Sequence, residues 1–404
     1  MSLKSVIAAT NALANGERQV QVTIHGHRQS VTLGSGLLDD IIKSLADLPQ
    51  VMIVADTTTY AVAGRACYDA LAATTNVAVH VFPHDIVATM EAALSLIAAA
   101  RGSQWLLAVS SGTASDLSKY AATQLRIPYS VVATAPSMNG YSSATASLRH
   151  LAGGSESYPC TPARHLWCDT EILTTASDRL LQAGIGDALC RQTCAIDALF
   201  ARVMAGIEDD SEIWQFLAVL EAEMLPRLPL LLMRDPSSLR ALTILLLAQG
   251  WAMQLAGSSH YASQGEHMLA HWLEHHQPET SHALFHGELV AATAQMMDDY
   301  QRQLLAMPCP SLRSTPLLAA SSVDAAKSEC YKKVYKMDWQ GCWRQFCAAA
   351  KLEQRQESLG SIYRQFGLLP AIKTALNQEV AATRLRYTTL DLLRYFDVQM
   401  HSVE

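Results

Sequence analysis

Between residues 19 and 133 short β-rich runs alternate with amphipathic helical stretches, and beyond about residue 178 one helical stretch follows another. Strands and helices alternating at this pace imply βαβ units and a mostly parallel sheet. Residues 19–32 carry two period-two runs around His25-Gly26-His27, a hairpin or a pair of strands. The runs 51–55, 77–82, 105–109 and 129–133 read as further strands, and 37–48, 59–73, 88–100 and 115–125 have helical spacing. Downstream, 187–203, 212–225, 237–255, 287–305 and 339–351 read as helices. The expected architecture is an α/β N-terminal domain with a parallel sheet over residues 1–175, followed by an all-α C-terminal domain over 176–404.

Composition supports large cores and removes several classes of function. Half of the 404 residues are apolar and only 17% are charged, the opposite of a disordered chain. With 30 basic and 37 acidic residues and a net charge of −7, no Lys/Arg cluster offers the basic face that nucleic acid requires. The most lipid-like run, 241–257, contains Gln249 and Gln254 and reads as a buried helix, so no membrane insertion is expected. The first twenty residues lack a long apolar core and a small-residue cleavage pattern, which argues against a signal peptide. Nine cysteines, an odd number without any CxxC pair, read as reduced thiols of a cytoplasmic protein. Cys190 and Cys194 share a helix face and read as small buried hydrophobes.

Two segments have the texture of a phosphate-binding turn and its neighbour. LLAVSSGTASDLSKYAA, residues 106–122, is strand, small-residue turn, then helix. Ser110, Ser111, Gly112 and Thr113 would let a pyrophosphate approach the backbone at a helix N-terminus. An ordinary strand-to-helix turn capped by serine and threonine reads equally well. The segment 133–144, ATAPSMNGYSSA, is a hydroxyl-rich loop at the carboxyl end of the next strand, where a ring of the cofactor and a substrate would lie. Gly184-Ile185-Gly186 lacks a third glycine and follows no strand, so it is no dinucleotide fingerprint.

Half of the fourteen histidines, namely His260, His267, His271, His275, His276, His282 and His286, fall in one short window. His267 and His271 stand four apart on the apolar helix EHMLAHWLE and face one way. His286 opens FHGELVAA, where the helical pattern restarts after a loop. Two imidazoles joined by a carboxylate hold a divalent metal and leave coordination positions open, the mark of a catalytic site. Asp187, in AGIGDALC just after Gly184 and Gly186, which free the backbone ahead of an apolar helix, is the best carboxylate, with a plain N-cap as its other reading. His275 and His276 read as exposed at a helix end, and His282 as a surface residue or a partner to a ligand.

Taken in order, SGTASDLSKYAA, PYSVVATAPSMNGYSSATASL, AGIGDAL, ASQGEHMLAHWLE, FHGELVA and RLRYTTLDLL resemble the sn-glycerol-1-phosphate dehydrogenase branch of the glycerol dehydrogenase and dehydroquinate synthase superfamily. The resemblance implies a nucleotide-binding α/β domain, a helical metal and substrate domain, and a soluble oxidoreductase of phospholipid metabolism. It would interconvert sn-glycerol 1-phosphate and dihydroxyacetone phosphate, or a similar small polyol phosphate, using NAD or NADP and one divalent ion. Zinc is the first expectation, with nickel or iron accepted by the same donors. By the same resemblance Asp187, His267 and His286 are the metal ligands, and Asp187 and His271 are catalytic and contact substrate with Asn139. Asp56, Ser110, Ser111, Gly112, Thr113, Ala114, Thr134, Ala135, Pro136, Ser137 and Ser143 are the dinucleotide contacts. A homo-oligomer, a dimer, is the expected assembly. Three departures stand out: Ser110-Ser111-Gly112 for a glycine-rich cradle, Asn139 for an aspartate, and His260 for an arginine, whose bidentate fork histidine lacks. Two rival functions follow from the same scaffold, a dehydroquinate synthase-like NAD-dependent cyclase and a non-catalytic binding protein that keeps the fold.

Overall fold

The computed structural model describes residues 3–149, 155–277, 283–312, 325–327, 329, 338–368 and 387–397. Contacts divide the chain into two units, one of residues 1–188 with 215–258, the other of 189–214 with 259–404.

The first unit is built on a seven-stranded sheet in the order β1-β2-β9-β6-β5-β3-β4. Its strands are β1 (Gln19–Ile24), β2 (His27–Gly34), β3 (Gln50–Asp56), β4 (Asn76–Phe82), β5 (Trp105–Ser110), β6 (Tyr129–Ala133) and β9 (His165–Asp169). β1 and β2 form the antiparallel hairpin read from the sequence, and every other pair is parallel. Alternate side chains of each buried strand enter two different cores. Met52, Val54, Leu106, Ala108, Val131 and Leu166 pack on one face, while Val51, Ile53, Leu107, Val109, Val132 and Trp167 pack on the other. Burial on both faces explains why these strands are nearly continuous runs of apolar residues.

Three pieces of this unit escape periodicity. The helix Leu3–Ala14 buries Val6 and Leu13 in the first core. β7 (Thr145–Arg149) and β8 (Ser155–Pro159) pair as a small antiparallel ribbon outside the main sheet. β9 then inserts between β2 and β6, and its five residues are too few for a pattern to show.

The contact division departs from the expected boundary at 175. The helix Pro236–Ala256, although downstream, contributes Ile244, Leu247 and Trp251 to the first unit's core. Arg240 on it donates to the carbonyls of Leu13, Glu17 and Leu33 at 2.7–3.0 Å. A cation satisfying carbonyls at a helix C-terminus is favourable, and it ties this helix to the α/β unit. By length and composition Pro236–Ala256 is apolar enough to cross a membrane, yet 78% of its window is buried in protein.

The second unit is helical. Its principal helices are Arg191–Ala205, Gly265–His276, His286–Ala306, Trp339–Glu353 and Leu359–Gln365. A two-residue strand pair, Ser311–Leu312 with Phe396–Asp397, is its β structure among the described residues. The single helix expected over 187–203 is broken at Cys190 into Asp178–Leu189 and Arg191–Ala205. Thr193 turns its amide (3.1 Å) and its hydroxyl (2.9 Å) onto the Cys190 carbonyl, a local bond that competes with helix continuation.

Candidate functional site

In the first unit the candidate nucleotide residues gather at the carboxyl edge of the sheet. Ser110 is in register with Ala133 across β5 and β6, and Asp56 ends β3 on the other side of β5. The chain order reverses between β3 and β5, and such a switch point is where open α/β sheets bind ligands. After Ser110 the chain turns into the helix Thr113–Leu125, whose N-cap is Gly112 and which has no side-chain cap. The Ser110 hydroxyl accepts the amides of Gly112 (3.0 Å) and Ser115 (3.1 Å). It shapes the turn from inside, which is how a serine serves where a glycine was the familiar residue. The amides of Thr113 and Ala114 remain at the helix start, the arrangement that favours an anion.

The loop after β6 is held against this turn by several bonds. Thr134 N donates to Ser110 O at 3.1 Å, and the Ser137 hydroxyl donates to Ser111 O. Tyr141, buried, donates its hydroxyl to Ala135 O at 2.9 Å, and burial pushes its pKa far above the usual tyrosine value. Lys119 is the residue that sequence reasoning missed. Wholly buried, its Nζ donates to Gly140 O (2.7 Å), Thr145 O (2.8 Å), Ser143 Oγ (3.2 Å) and Asp116 Oδ1 (3.2 Å). The signal was Asp116 and Lys119, three apart in a helix of small residues, a pairing that usually means a solvated face.

Two helices approach this loop because they lack a side chain at the contact. A Cβ at Gly184 would overlap the Pro136 carbonyl, and one at Gly250 would meet Ser142 and stand 2.6 Å from Asn139 O. Gly184 and Gly186 thus lie inside the helix Asp178–Leu189 rather than ahead of a helix. Asp187 follows them in that helix's last turn, so the N-cap reading is excluded. Its carboxylate is buried at 2% exposure, and Oδ2 accepts the Asn139 amide at 2.7 Å. The unit therefore brings together Asp187 and Asn139. Asp56 caps its own short helix: Oδ1 accepts Thr58 N (2.8 Å) and Thr59 N (2.9 Å), and Oδ2 accepts Thr59 Oγ1 (2.9 Å).

The second unit brings together three imidazoles. His267 and His271 lie on Gly265–His276, and His286 is the first residue of His286–Ala306, where Glu288 accepts Phe285 N at 2.8 Å and fixes the helix start. The ring centroids of His267 and His286 are 5.2 Å apart, those of His271 and His286 5.8 Å. A nitrogen about 2.1 Å from an ion puts each ring centroid about 3.2 Å from it, and a tetrahedral angle then separates two centroids by roughly 5.2 Å. The His267–His286 pair fits that geometry.

Each helical histidine has a carboxylate behind it. His267 Nδ1 lies 2.8 Å from Glu266 Oε1, and His271 Nδ1 lies 2.9 Å from Glu274 Oε2. A carboxylate on Nδ1 sets the proton there and turns Nε2 into the acceptor, as metal-bound or proton-transferring imidazoles require. Glu266 is wholly buried and also accepts Gln264 N (2.7 Å), Thr193 Oγ1 (2.9 Å) and Cys194 Sγ (3.1 Å). Burial opposes its ionisation, but the hydrogen bond from His267 and the other donors outweigh it and hold the carboxyl down to about 2. Cys190, Glu266 and His267 also place ligand atoms within 4.8 Å of one another. A proton shared across 2.8 Å leaves no room for a cation between Glu266 and His267, and the Cys190 thiol donates to Ala262 O at 3.7 Å.

His275 and His276 follow their reading. Both are exposed, with His276 stacked on Trp272 at 4.3 Å, and His282 lies outside the described residues. His260 packs on Tyr261 at 4.0 Å and near Trp214 at 6.3 Å. Cys190 and Cys194 are buried thiols, with burial raising Cys194 well above the usual thiol range.

The fold defines the class, and residues 32–177 match the family described as iron-containing alcohol dehydrogenase. An iron-containing alcohol dehydrogenase of Thermotoga maritima has the same fold, with a TM-score of 0.61 over 90% of this chain and 95% of that one at 11% identity. A 2-deoxy-scyllo-inosose synthase shares it too, at a TM-score of 0.53 over 81% of this chain and 88% of that one with 14% identity.

Within that class the chain belongs to the glycerol-1-phosphate dehydrogenase family. It is 32% identical to glycerol-1-phosphate dehydrogenase [NAD(P)+] of Methanosarcina mazei over 275 residues, 67% of this chain and 75% of the relative. It is 36% identical to the Methanothrix thermoacetophila enzyme over 186 residues, 46% of this chain and about half (51%) of that relative's length.

Proposed function

We propose that this protein is an NAD(P)-dependent oxidoreductase interconverting sn-glycerol 1-phosphate and dihydroxyacetone phosphate, with Asp187, His267 and His286 as ligands of one divalent cation. The observation that carries the metal reading is the His267–His286 separation of 5.2 Å, with Glu266 behind His267. The names of the relatives carry the choice of substrate. Two imidazoles and a carboxylate suit zinc, nickel or iron, and a cation there, when bound, supplies a Lewis acid for the carbonyl or alkoxide oxygen. The dinucleotide supplies or takes up the hydride.

The chain's own residues orient and exclude. Thr113 and Ala114 offer amides for the pyrophosphate, with the Ser110 hydroxyl keeping the turn open for it. Asp56, at the tip of β3, supports recognition of a free ribose hydroxyl and disfavours an added phosphate by its charge. Asn139, whose amide is already fixed on Asp187, presents its side chain to a substrate hydroxyl. His271 holds a proton on Nδ1 against Glu274 and uses Nε2 to accept or return the hydroxyl proton. A homodimer in a reducing cytoplasm is the setting that the apolar composition and the thiols support.

The test is direct. Purified protein is analysed for metal and screened against triose and polyol phosphates with NADH and NADPH. His267→Ala and His286→Ala are expected to lose both the ion and the activity; full metal occupancy in both variants overturns the ligand assignment.

A further inference from the structure

We propose that Asp197 is the positioning residue that sets the two histidine-bearing helices against each other, and so sets the His267–His286 separation. The inference rests on the reading above that these two histidines hold the metal.

Asp197 lies on Arg191–Ala205, a helix that carries none of the candidate ligands, and is wholly buried. Its Oδ2 accepts the amide of Gly265 at 3.0 Å. Gly265 is the first residue of the helix Gly265–His276, two residues before His267. Its Oδ1 accepts Gln301 Nε2 at 3.0 Å, and Gln301 belongs to His286–Ala306, the helix that His286 begins. The same oxygen accepts Thr389 N (2.9 Å) and Thr389 Oγ1 (2.6 Å). One carboxylate therefore holds the start of one histidine helix with one oxygen and the body of the other helix with its second oxygen.

Two physical facts make this more than a buried polar contact. The first amides of a helix have no partner within it, and an acidic acceptor there also suits the helix dipole. Gly265 is required by the closeness of the contact: a Cβ would stand 2.5 Å from Asp197 Oδ2 and 2.6 Å from the Met297 methyl. Met297 is again on the His286 helix. Helix, carboxylate and second helix thus meet at one glycine, with no slack for either histidine to drift.

Asparagine separates the two ties. In Asp197→Asn the amide oxygen can serve Gln301 and Thr389, and the NH2 group then faces the Gly265 N–H, donor against donor. Thr389→Val is the control, because it removes a donor to Oδ1 and a 3.4 Å acceptor of Gln301 Nε2 while keeping the bonds of Asp197 to Gly265 N and Gln301 Nε2. In metal-free protein, hydrogen exchange of the segment starting at Gly265 is expected to rise at least tenfold in D197N over T389V. The zinc dissociation constant, measured by chelator competition, is expected to weaken about 10–100-fold in D197N and to stay within threefold in T389V.

Unchanged exchange in D197N overturns the positioning role whether or not zinc binds. So does equal weakening of zinc binding in both variants at equal loss of thermal stability. Faster exchange in a chain whose wild type binds no zinc, or whose H267A variant binds it normally, upholds the positioning of the helix and overturns the metal reading alone. Should D197N fail to fold, the wild-type Gly265 amide is read directly, and protection below tenfold over an unstructured peptide overturns the proposal.

Discussion

Replacing Lys119 by methionine tests how the loop beside the nucleotide turn is held. Methionine keeps most of the aliphatic length and removes the ammonium, so the carbonyls of Gly140 and Thr145, the Ser143 hydroxyl and the Asp116 carboxylate lose a shared donor. Asp116 would retain its bond from Ser147 N at 3.3 Å, but half of its partnership is gone. Truncating one member of a buried ion pair costs about 3–5 kcal/mol, and the individual hydrogen bonds, worth about 1.5–3 kcal/mol each to a charged group, overlap with that figure rather than adding to it. A whole domain is stable by only about 5–15 kcal/mol, so the variant folds, with the loss concentrated in the loop. At roughly 1.4 kcal/mol per decade, the opening equilibrium of residues 139–149 should rise by about two to three and a half orders of magnitude. Hydrogen exchange by mass spectrometry reads that segment directly. The Michaelis constant for the dinucleotide should rise in parallel. An exchange increase below tenfold refutes the reasoning, because it means that the loop keeps its place without the ammonium.

Other perturbations probe separate contacts. Gly184→Ala drives a methyl group into the Pro136 carbonyl and should destabilise the protein by about 1–3 kcal/mol or more, seen as a lower urea midpoint and a higher Michaelis constant for the dinucleotide; a neutral substitution contradicts the close approach. Ser110→Ala leaves the Gly112 and Ser115 amides without the acceptor they now have and should cost about 1–3 kcal/mol, measured by the same urea titration. Burial holds the thiols of Cys67 and Cys168 up at about 12, so iodoacetamide at pH 8 should label exposed Cys309 and spare both; peptide mass spectrometry decides. Because those folded values lie above the unfolded ones, the stability they represent is intact below the ordinary thiol pKa. It is lost as pH climbs from about 9 toward 12, and an alkaline melting curve flat across that range argues against it.

Period and spacing alone made much of this molecule legible. Unbroken apolar runs became β3, β5 and β6 because strands buried on both faces need no polar alternation. The four-residue step from His267 to His271 put both on one face because helix geometry dictates it. His286, where the helical pattern restarts, and Asp187 were legible as candidate donors, and the resemblance implied that they serve one ion with His267.

Other features had no local signature. β9 and the ribbon of β7 and β8 are too short and too polar for a pattern to emerge, and the break at Cys190 depends on a threonine side chain three residues on. Lys119, Glu266 and Asp197 look like surface charges in a linear reading. Each is buried because partners from distant positions reach it: Gly140 and Thr145 for Lys119, Thr193 and Cys194 for Glu266, Gly265, Gln301 and Thr389 for Asp197. Local sequence determines which residues repeat along a strand or a helix face, since that periodicity is a property of the backbone itself. Which charged groups leave water was decided only by the tertiary structure, because desolvation is tolerable only where enough donors and acceptors converge from separate parts of the chain.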